Sequence, residues 1–240
     1  MHAVPPPPAI FTPSPSPAPT ASAVPLAGPW IAAPRPWNKA AWLAQHDGYV
    51  ARARQGGIDV LFLGDSITEY FATRGKDVWD RAIAPLGSVA DFGISGDRTQ
   101  FVLWRAQNGE LDGTSARVVV LMAGTNNLAS ATPENVARGV AAIVGTIRAK
   151  LPNAIVVLNA LLPRGTPDDP LRAKAVAVNA LIAPVADGTH VRWLDAGAGF
   201  VGTDGTIAGA LMPDGLHPSA AGYDVWATAL RPVLLDALSK

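Results

Sequence analysis

The sequence contains no cysteine, which excludes a disulfide framework, a thiolate nucleophile and a cysteine-bound metal. Its four histidines are dispersed, with no H-x-H or H-E-x-x-H spacing, so we expect neither a metal nor another cofactor. No apolar run approaches the roughly 18 residues that a membrane span needs. Basic and acidic residues number 19 each, without a basic cluster, which argues against a nucleic-acid partner.

The first 36 residues differ in composition from the remainder of the chain. They hold twelve of the 22 prolines, no acidic residue, and Arg35 as their single lysine or arginine. This composition predicts a disordered, proline-rich tail or stalk over residues 1–36 and one domain over residues 37–240. Such a tail suits a stalk left after signal-peptide removal, so we expect an exported protein, periplasmic or extracellular. The sequence carries no signal for an oligomeric state.

Short apolar runs alternate with helical patterns along the domain. A helix is predicted to begin at Thr132 as N-cap with Pro133 in its first turn. Alternation of this kind predicts an α/β fold, a doubly wound five-stranded parallel sheet between two layers of helices. The predicted strands are residues 58–63, 88–92, 117–122, 154–160 and 190–195.

Small and polar residues follow these strands, in "GDSITEY", "GISGDRTQ" and "AGTNNLAS", and "MPDGLHPSAAG" lies beyond the fifth. Ser66 is either a helix N-cap or a nucleophile, and Gly96 and Asn126 are each either turn residues or parts of a site. The carboxyl ends of parallel strands meet at one edge of a sheet. There His217 would take a proton from Ser66, and Asp214 would orient the imidazole.

Several signals compete with this interpretation. Asn127 competes with Asn126, and Asp195 at the end of the fifth strand is a rival acid for His217. The "GAGFVG" of residues 197–202 matches a dinucleotide-binding pattern, but it follows the last predicted strand and no helical pattern comes after it. Trp79 and Trp104 are weak candidates for substrate contact.

"LFLGDSIT", "GISGD", "AGTNN" and "PDGLHP" resemble, in order and spacing, the four sequence blocks of the SGNH (GDSL) hydrolase superfamily. Further segments, including "DRTQFVLWRAQNGELDG" and "LLPRG", are similar to the branch containing the brain-type platelet-activating-factor acetylhydrolase catalytic subunits and their bacterial relatives. The resemblance covers residues 37–236. It implies a flavodoxin-like, three-layer fold.

The same resemblance implies a catalytic triad of Ser66, His217 and Asp214. It also implies an oxyanion hole formed by the amides of Ser66 and Gly96 with the Asn126 side chain, and no cofactor. The expected function is hydrolysis of short-chain, typically acetyl, oxygen esters through an acyl-enzyme.

The expected substrate is an acetylated carbohydrate or a short-acyl lipid. The alternatives are a non-catalytic ligand-binding module on the hydrolase fold, or an acyl hydrolase of the lysophospholipase or thioesterase type. One departure is Asp91, where relatives often have Asn.

Overall fold

A computed structural model describes residues 27–240, and the part of the predicted tail over residues 1–26 lies outside them. Within the described chain, five parallel strands form one sheet. Each predicted apolar run supplies one strand, which confirms the predicted sheet. The strands are β1 Val60–Gly64, β2 Val89–Gly93, β3 Val118–Met122, β4 Ile155–Asn159 and β5 Val191–Leu194.

The strand order is β2-β1-β3-β4-β5, with every neighbouring pair parallel. After β1 the chain builds β2 on one side of it, then crosses to the other side to build β3. The direction of winding therefore reverses at β1, and the carboxyl ends of β1 and β3 border the crevice where ligands bind in doubly wound sheets.

Helices cover both faces of the sheet. The helices are α1 Lys39–Arg54, α2 Ser66–Glu69, α3 Lys76–Val78, α4 Thr99–Arg105, α5 Pro133–Lys150, α6 Pro170–Ile182 and α7 Ala220–Leu238. Helix α5 begins as predicted, because the Thr132 side chain accepts from the Asn135 amide. Within residues 27–240, no helix combines the length and apolar character needed to cross a membrane.

The hydrophobic core is divided between the two faces because successive strand residues point to opposite sides. Leu61 and Leu63 of β1 pack with α4, α5 and α6 on one face. Val60 and Phe62 pack with α7 and the segment after α2 on the other. A continuous run of apolar residues is therefore what a strand buried on both faces requires.

Residues 27–36, which we call the N-terminal strap, lie against the domain, although the sequence placed them in the tail. The Pro29 carbonyl accepts from Thr99 Oγ1 at 2.8 Å, and the Ala33 amide donates to the Gln100 carbonyl at 3.2 Å. The Arg138 guanidinium carbon lies over the Trp30 ring, 3.9 Å from the ring centroid. These contacts of the N-terminal strap are therefore with α4 and α5, while the domain boundary at residue 36 stays a prediction.

Candidate active site

Ser66 is the first residue of α2, directly after the turn that follows β1. Asp65 is the N-cap of α2, and its Oδ1 accepts from the Ile67 amide at 3.0 Å. Ser66 is the first helical residue, so the N-cap interpretation of this serine is wrong. With the capping position taken by Asp65, the Ser66 hydroxyl is available to bond elsewhere.

The structure brings Ser66 together with the segment before α7. Ser66 Oγ lies 2.9 Å from His217 Nε2, and His217 Nδ1 lies 2.7 Å from Asp214 Oδ2. Because an ionised carboxylate only accepts hydrogen bonds, Nδ1 carries the ring proton and Nε2 is left as an acceptor for the Ser66 hydroxyl. Asp195, the rival acid, instead accepts from the Gly197 amide at 2.7 Å.

Hydrogen bonds hold Asp214 in its ionised form. Its Oδ1 accepts from the backbone amides of Leu216 and His217 at 3.0 and 2.7 Å. Partial burial raises the pKa of Asp214, but these bonds and the one from the His217 side chain outweigh it and lower the pKa to about 2. Asp214 can therefore stabilise a positive charge that develops on His217.

Solvent exposure increases along the hydrogen-bonded series from Ser66 through His217 to Asp214. Ser66 is 5% exposed, while the side chains of His217 and Asp214 are 19% and 50% exposed. The Tyr70 ring packs against the imidazole with ring centroids 5.1 Å apart. The imidazole is thus held between Asp214 and Tyr70.

Two candidate hydrogen-bond donors follow other strands, Gly96 after β2 and Asn126 after β3. Gly96 follows β2 with φ of 79°, a left-handed conformation that favours glycine. Among residues 27–240, neither the Ser66 amide nor the Gly96 amide has an acceptor. Asn126 Nδ2 donates one hydrogen to the Asp97 carbonyl at 2.8 Å, which leaves its second hydrogen for a ligand.

Asn127 has a structural position. It is 1% exposed, and its Oδ1 accepts from the Thr99 amide at 3.0 Å at the beginning of α4. Its Nδ2 donates to Gln100 Oε1 at 2.9 Å. Both ends of the Asn127 amide are therefore occupied, whereas Asn126 keeps a free donor.

A buried charge network lies beneath the loop that carries Gly96. Arg105 is fully buried and donates through Nε to Asp97 Oδ2 at 2.7 Å, and its Nη1 bonds Glu110. Burial lowers the pKa of Arg105, but Glu110 and Asp97 outweigh it and raise the pKa. Trp42 Nε1 donates to Asp97 Oδ1 at 2.8 Å. Asp97 is therefore fixed by groups from α1 and α4.

Two further buried carboxyl groups lie beside this network. Burial raises the pKa of Asp65 to about 7 and that of Asp91 to about 7. Asp91 Oδ1 accepts from the Gly93 amide at 2.8 Å, while Oδ2 of each aspartate is buried without a partner among residues 27–240. One oxygen of Asp91 is therefore hydrogen-bonded and the other is not. An asparagine at this position could keep the hydrogen bond through its Oδ1 and would put an uncharged amide group in place of the second oxygen.

The two tryptophan candidates pack within the protein. Trp79 is buried between Phe62 and Phe71, with ring centroids 5.0 and 5.3 Å away. Trp104 packs on Trp42 of α1 at 5.3 Å. The structure therefore gives no support to substrate contact by either tryptophan. Both are close in sequence to the site loops, but their rings pack against other aromatic side chains of the protein.

The dinucleotide interpretation of residues 197–202 also fails. Gly197–Gly199 forms a single short turn, and Val201 pairs with Ile207 in an antiparallel bridge. No α-helix begins there to receive a pyrophosphate. In the described part of the chain, no group of three or more His, Cys, Asp or Glu side chains could hold a metal ion.

Comparison with known sequences identifies the family. The sequence model of the GDSL-like Lipase/Acylhydrolase family matches residues 62–225. The chain belongs to this family. It is 40% identical over 200 residues to platelet-activating factor acetylhydrolase IB subunit alpha1 of Homo sapiens, covering 83% of this chain and 85% of that protein. The alpha2 subunit of Bos taurus is 37% identical over 200 residues, covering 83% and 86%.

Solved structures share the fold of this GDSL acylhydrolase. A GDSL-like lipase from Bacteroides thetaiotaomicron matches with a TM-score of 0.68 at 21% identity, covering 81% of this chain and 98% of that chain. A catalytic mutant of an acetylxylan esterase from Geobacillus stearothermophilus matches with a TM-score of 0.60 at 19% identity, covering 76% and 94%. The three-layer α/β fold expected from the sequence is confirmed. The chain is an esterase or acylhydrolase of this family.

Proposed function

We propose that the protein is a serine esterase that removes a short acyl group, typically acetyl, from an oxygen ester. The observation that carries this proposal is the line of hydrogen bonds from Ser66 Oγ to His217 Nε2 at 2.9 Å and from His217 Nδ1 to Asp214 at 2.7 Å. A hydroxyl becomes a competent nucleophile when a positioned base removes its proton.

In the first half of the proposed reaction, Ser66 Oγ attacks the ester carbonyl carbon while His217 Nε2 accepts the hydroxyl proton. The carbonyl oxygen becomes an anion, to which the amides of Ser66 and Gly96 and the side chain of Asn126 donate. His217 then gives its proton to the alcohol oxygen as the carbon–oxygen bond breaks. The alcohol leaves, and the acyl group remains on Ser66.

Water completes the proposed cycle. His217 removes a proton from water, the resulting hydroxide attacks the acyl carbon, and the same donors stabilise the second oxyanion. The Ser66 oxygen leaves and recovers its proton from His217. Throughout, Asp214 keeps its charge and holds the imidazole in one orientation.

The short-chain preference rests on the relatives. The mammalian relatives are named acetylhydrolases, and a structural relative is named an acetylxylan esterase. These names refer to different acetyl esters, platelet-activating factor in one case and acetylated xylan in the other. For this chain we propose the shared acetyl ester, carried by either an acetylated carbohydrate or a short-acyl lipid.

A panel of p-nitrophenyl esters of increasing chain length tests the proposal. We expect the highest kcat/KM for acetate and a steep fall for longer chains, with no turnover by Ser66→Ala. Acetylated xylo-oligosaccharides and a 2-acetyl phospholipid then distinguish the two alcohol portions. A preference for long chains would contradict the acetyl assignment and favour a lysophospholipase or thioesterase.

Export from the cytoplasm stays a prediction from the composition of residues 1–36. Fractionation of native cells followed by immunodetection would test it. Detection in the cytoplasmic fraction alone would contradict it.

A further inference from the structure

The N-terminal strap reaches the loop that carries Gly96. Arg35, in the strap, donates from Nη1 to the Ser95 carbonyl at 2.7 Å. The same Nη1 lies 3.8 Å from Asp97 Oδ1. Outside Ser95–Asp97, it is also the nearest heavy atom, at 3.6 Å, to the position that a Cβ on Gly96 would take. The guanidinium therefore touches the loop on both sides of Gly96.

We propose that Arg35 is a positioning residue, which holds the Ser95–Asp97 loop so that the Gly96 amide points at the developing oxyanion. This inference rests on the proposed function. It assigns a role in catalysis to a segment outside residues 62–225, the part of the chain that the family model matches.

The loop needs such support because Gly96 has a φ of 79° and its own amide has no acceptor among the described residues. On one side, the Ser95 amide donates to Glu69 Oε2 at 2.8 Å. On the other side, Asn126 and Arg105 bind Asp97. Arg35 fixes the Ser95 carbonyl, which belongs to the same peptide unit as the Gly96 amide. Rotation of this peptide unit would turn the Gly96 N–H away from its proposed direction.

The burial of Arg35 favours a role in orienting the Ser95–Asp97 loop over a role in the stability of the fold. It is 8% exposed, and its Nε is buried without an acceptor among residues 27–240. Removal of one partner from a buried ion pair destabilises a protein when the other charge is left unpaired, but without Arg35 the Asp97 carboxylate keeps Arg105 and Trp42 as partners. Arg35→Met is therefore expected to preserve the melting temperature while releasing the Ser95 carbonyl.

Arg35→Met in the full chain, assayed with p-nitrophenyl acetate, tests the proposal. Misplacement of a catalytic group by a fraction of an ångström to one ångström costs on the order of 10- to 100-fold in rate. We expect kcat to fall by that factor with KM changed less than about twofold, because the Gly96 amide acts mainly in the transition state. Arg138→Ala is the matched control, since it loosens the strap at Trp30 without touching the loop, and its kcat is expected to stay unchanged.

Chemical rescue separates positioning from general destabilisation. Millimolar guanidinium ion is expected to restore part of the kcat of Arg35→Ala, in which the space of the side chain is open. It is expected to have no such effect on Arg35→Met, in which methionine fills that space. If Arg35→Met does not fold, the guanidinium experiment on Arg35→Ala decides, with a partly restored kcat supporting the proposal and no restoration overturning it.

A kcat for folded Arg35→Met within about twofold of the unmutated protein would overturn the proposal. So would an equal loss in Arg138→Ala, since the effect would then come from the strap as a whole. Ser66→Ala keeps the two proposals distinct. An inactive Ser66→Ala with a fully active Arg35→Met refutes the role of Arg35 alone, whereas an active Ser66→Ala refutes the proposed function itself.

Discussion

Replacing Asn126 by alanine removes one donor from the proposed oxyanion hole and leaves the nucleophile in place. Asn126 Nδ2 already gives one hydrogen to the Asp97 carbonyl at 2.8 Å, so the donor is held in orientation before the substrate arrives. Loss of a single oxyanion donor costs roughly 3 to 4 kcal/mol of transition-state stabilisation, or about 100- to 1000-fold in kcat. KM is expected to change little, because this bond strengthens only as the oxygen becomes charged.

Asn127→Ala is the matched control, since the neighbouring residue has the same side chain in a different environment. Its two bonds, to the Thr99 amide and to Gln100 Oε1, are 3.0 and 2.9 Å long and buried. Leaving both partners unsatisfied costs about 1 to 3 kcal/mol each. We therefore expect a melting temperature lowered by roughly 4 °C or more. The kcat of the folded fraction is expected to stay close to that of the unmutated protein.

Steady-state kinetics with p-nitrophenyl acetate and thermal melts of both variants provide the assay. The measurements are made well below the melting temperature of Asn127→Ala, so that a loss of activity is not a loss of folded protein. A large kcat loss in Asn127→Ala with near-normal kcat in Asn126→Ala would refute the assignment of the oxyanion donor.

Two other predictions concern carboxylates. Asp214→Asn is expected to lower kcat by roughly 10⁴-fold, because an amide no longer holds the reactive tautomer of His217; Asp195→Asn, its control, is expected to leave kcat unchanged in the same assay. Burial raises the pKa of Asp91 from 3.8 to about 7. The folded state therefore binds the Asp91 proton more tightly than the unfolded state, and this stabilises the fold. The stabilisation is complete below about pH 4 and is lost as the pH rises through about 7. Asp91→Asn is therefore expected to raise the free energy of unfolding at pH 8 by up to about 4 kcal/mol and to change it little at pH 4; equal effects at both pH values would contradict the buried carboxyl as the cause.

The strands and the location of the site could be predicted from the sequence because their signals are local. A continuous run such as Val118–Met122 fits a strand buried on both faces, and parallel strands place their carboxyl ends at one edge. Ser66, Asn126 and the Asp214–His217 segment could therefore be expected to meet. The three-residue spacing of Asp214 and His217 favoured Asp214 over Asp195, and in the structure Asp214 is the acid hydrogen-bonded to His217.

Other features depend on contacts between residues distant in the sequence. Arg35 meets Ser95 across 60 positions, and Trp42 meets Asp97 across 55. A proline-rich composition predicts that a segment forms no hydrophobic core of its own. It does not show whether the segment packs on the surface of the neighbouring domain. The one available signal was Arg35 itself, the only charged residue in the first 36.

Identification of the acylated residue tests the central claim most directly. The protein is mixed with p-nitrophenyl acetate, quenched in acid within one turnover, digested and mapped by mass spectrometry. We predict a single acetyl group on Ser66, none in Ser66→Ala, and accumulation in Asp214→Asn if the mutation slows deacylation more than acylation. An acetyl group on another residue such as Ser95, or continued ester turnover by Ser66→Ala, would contradict the account.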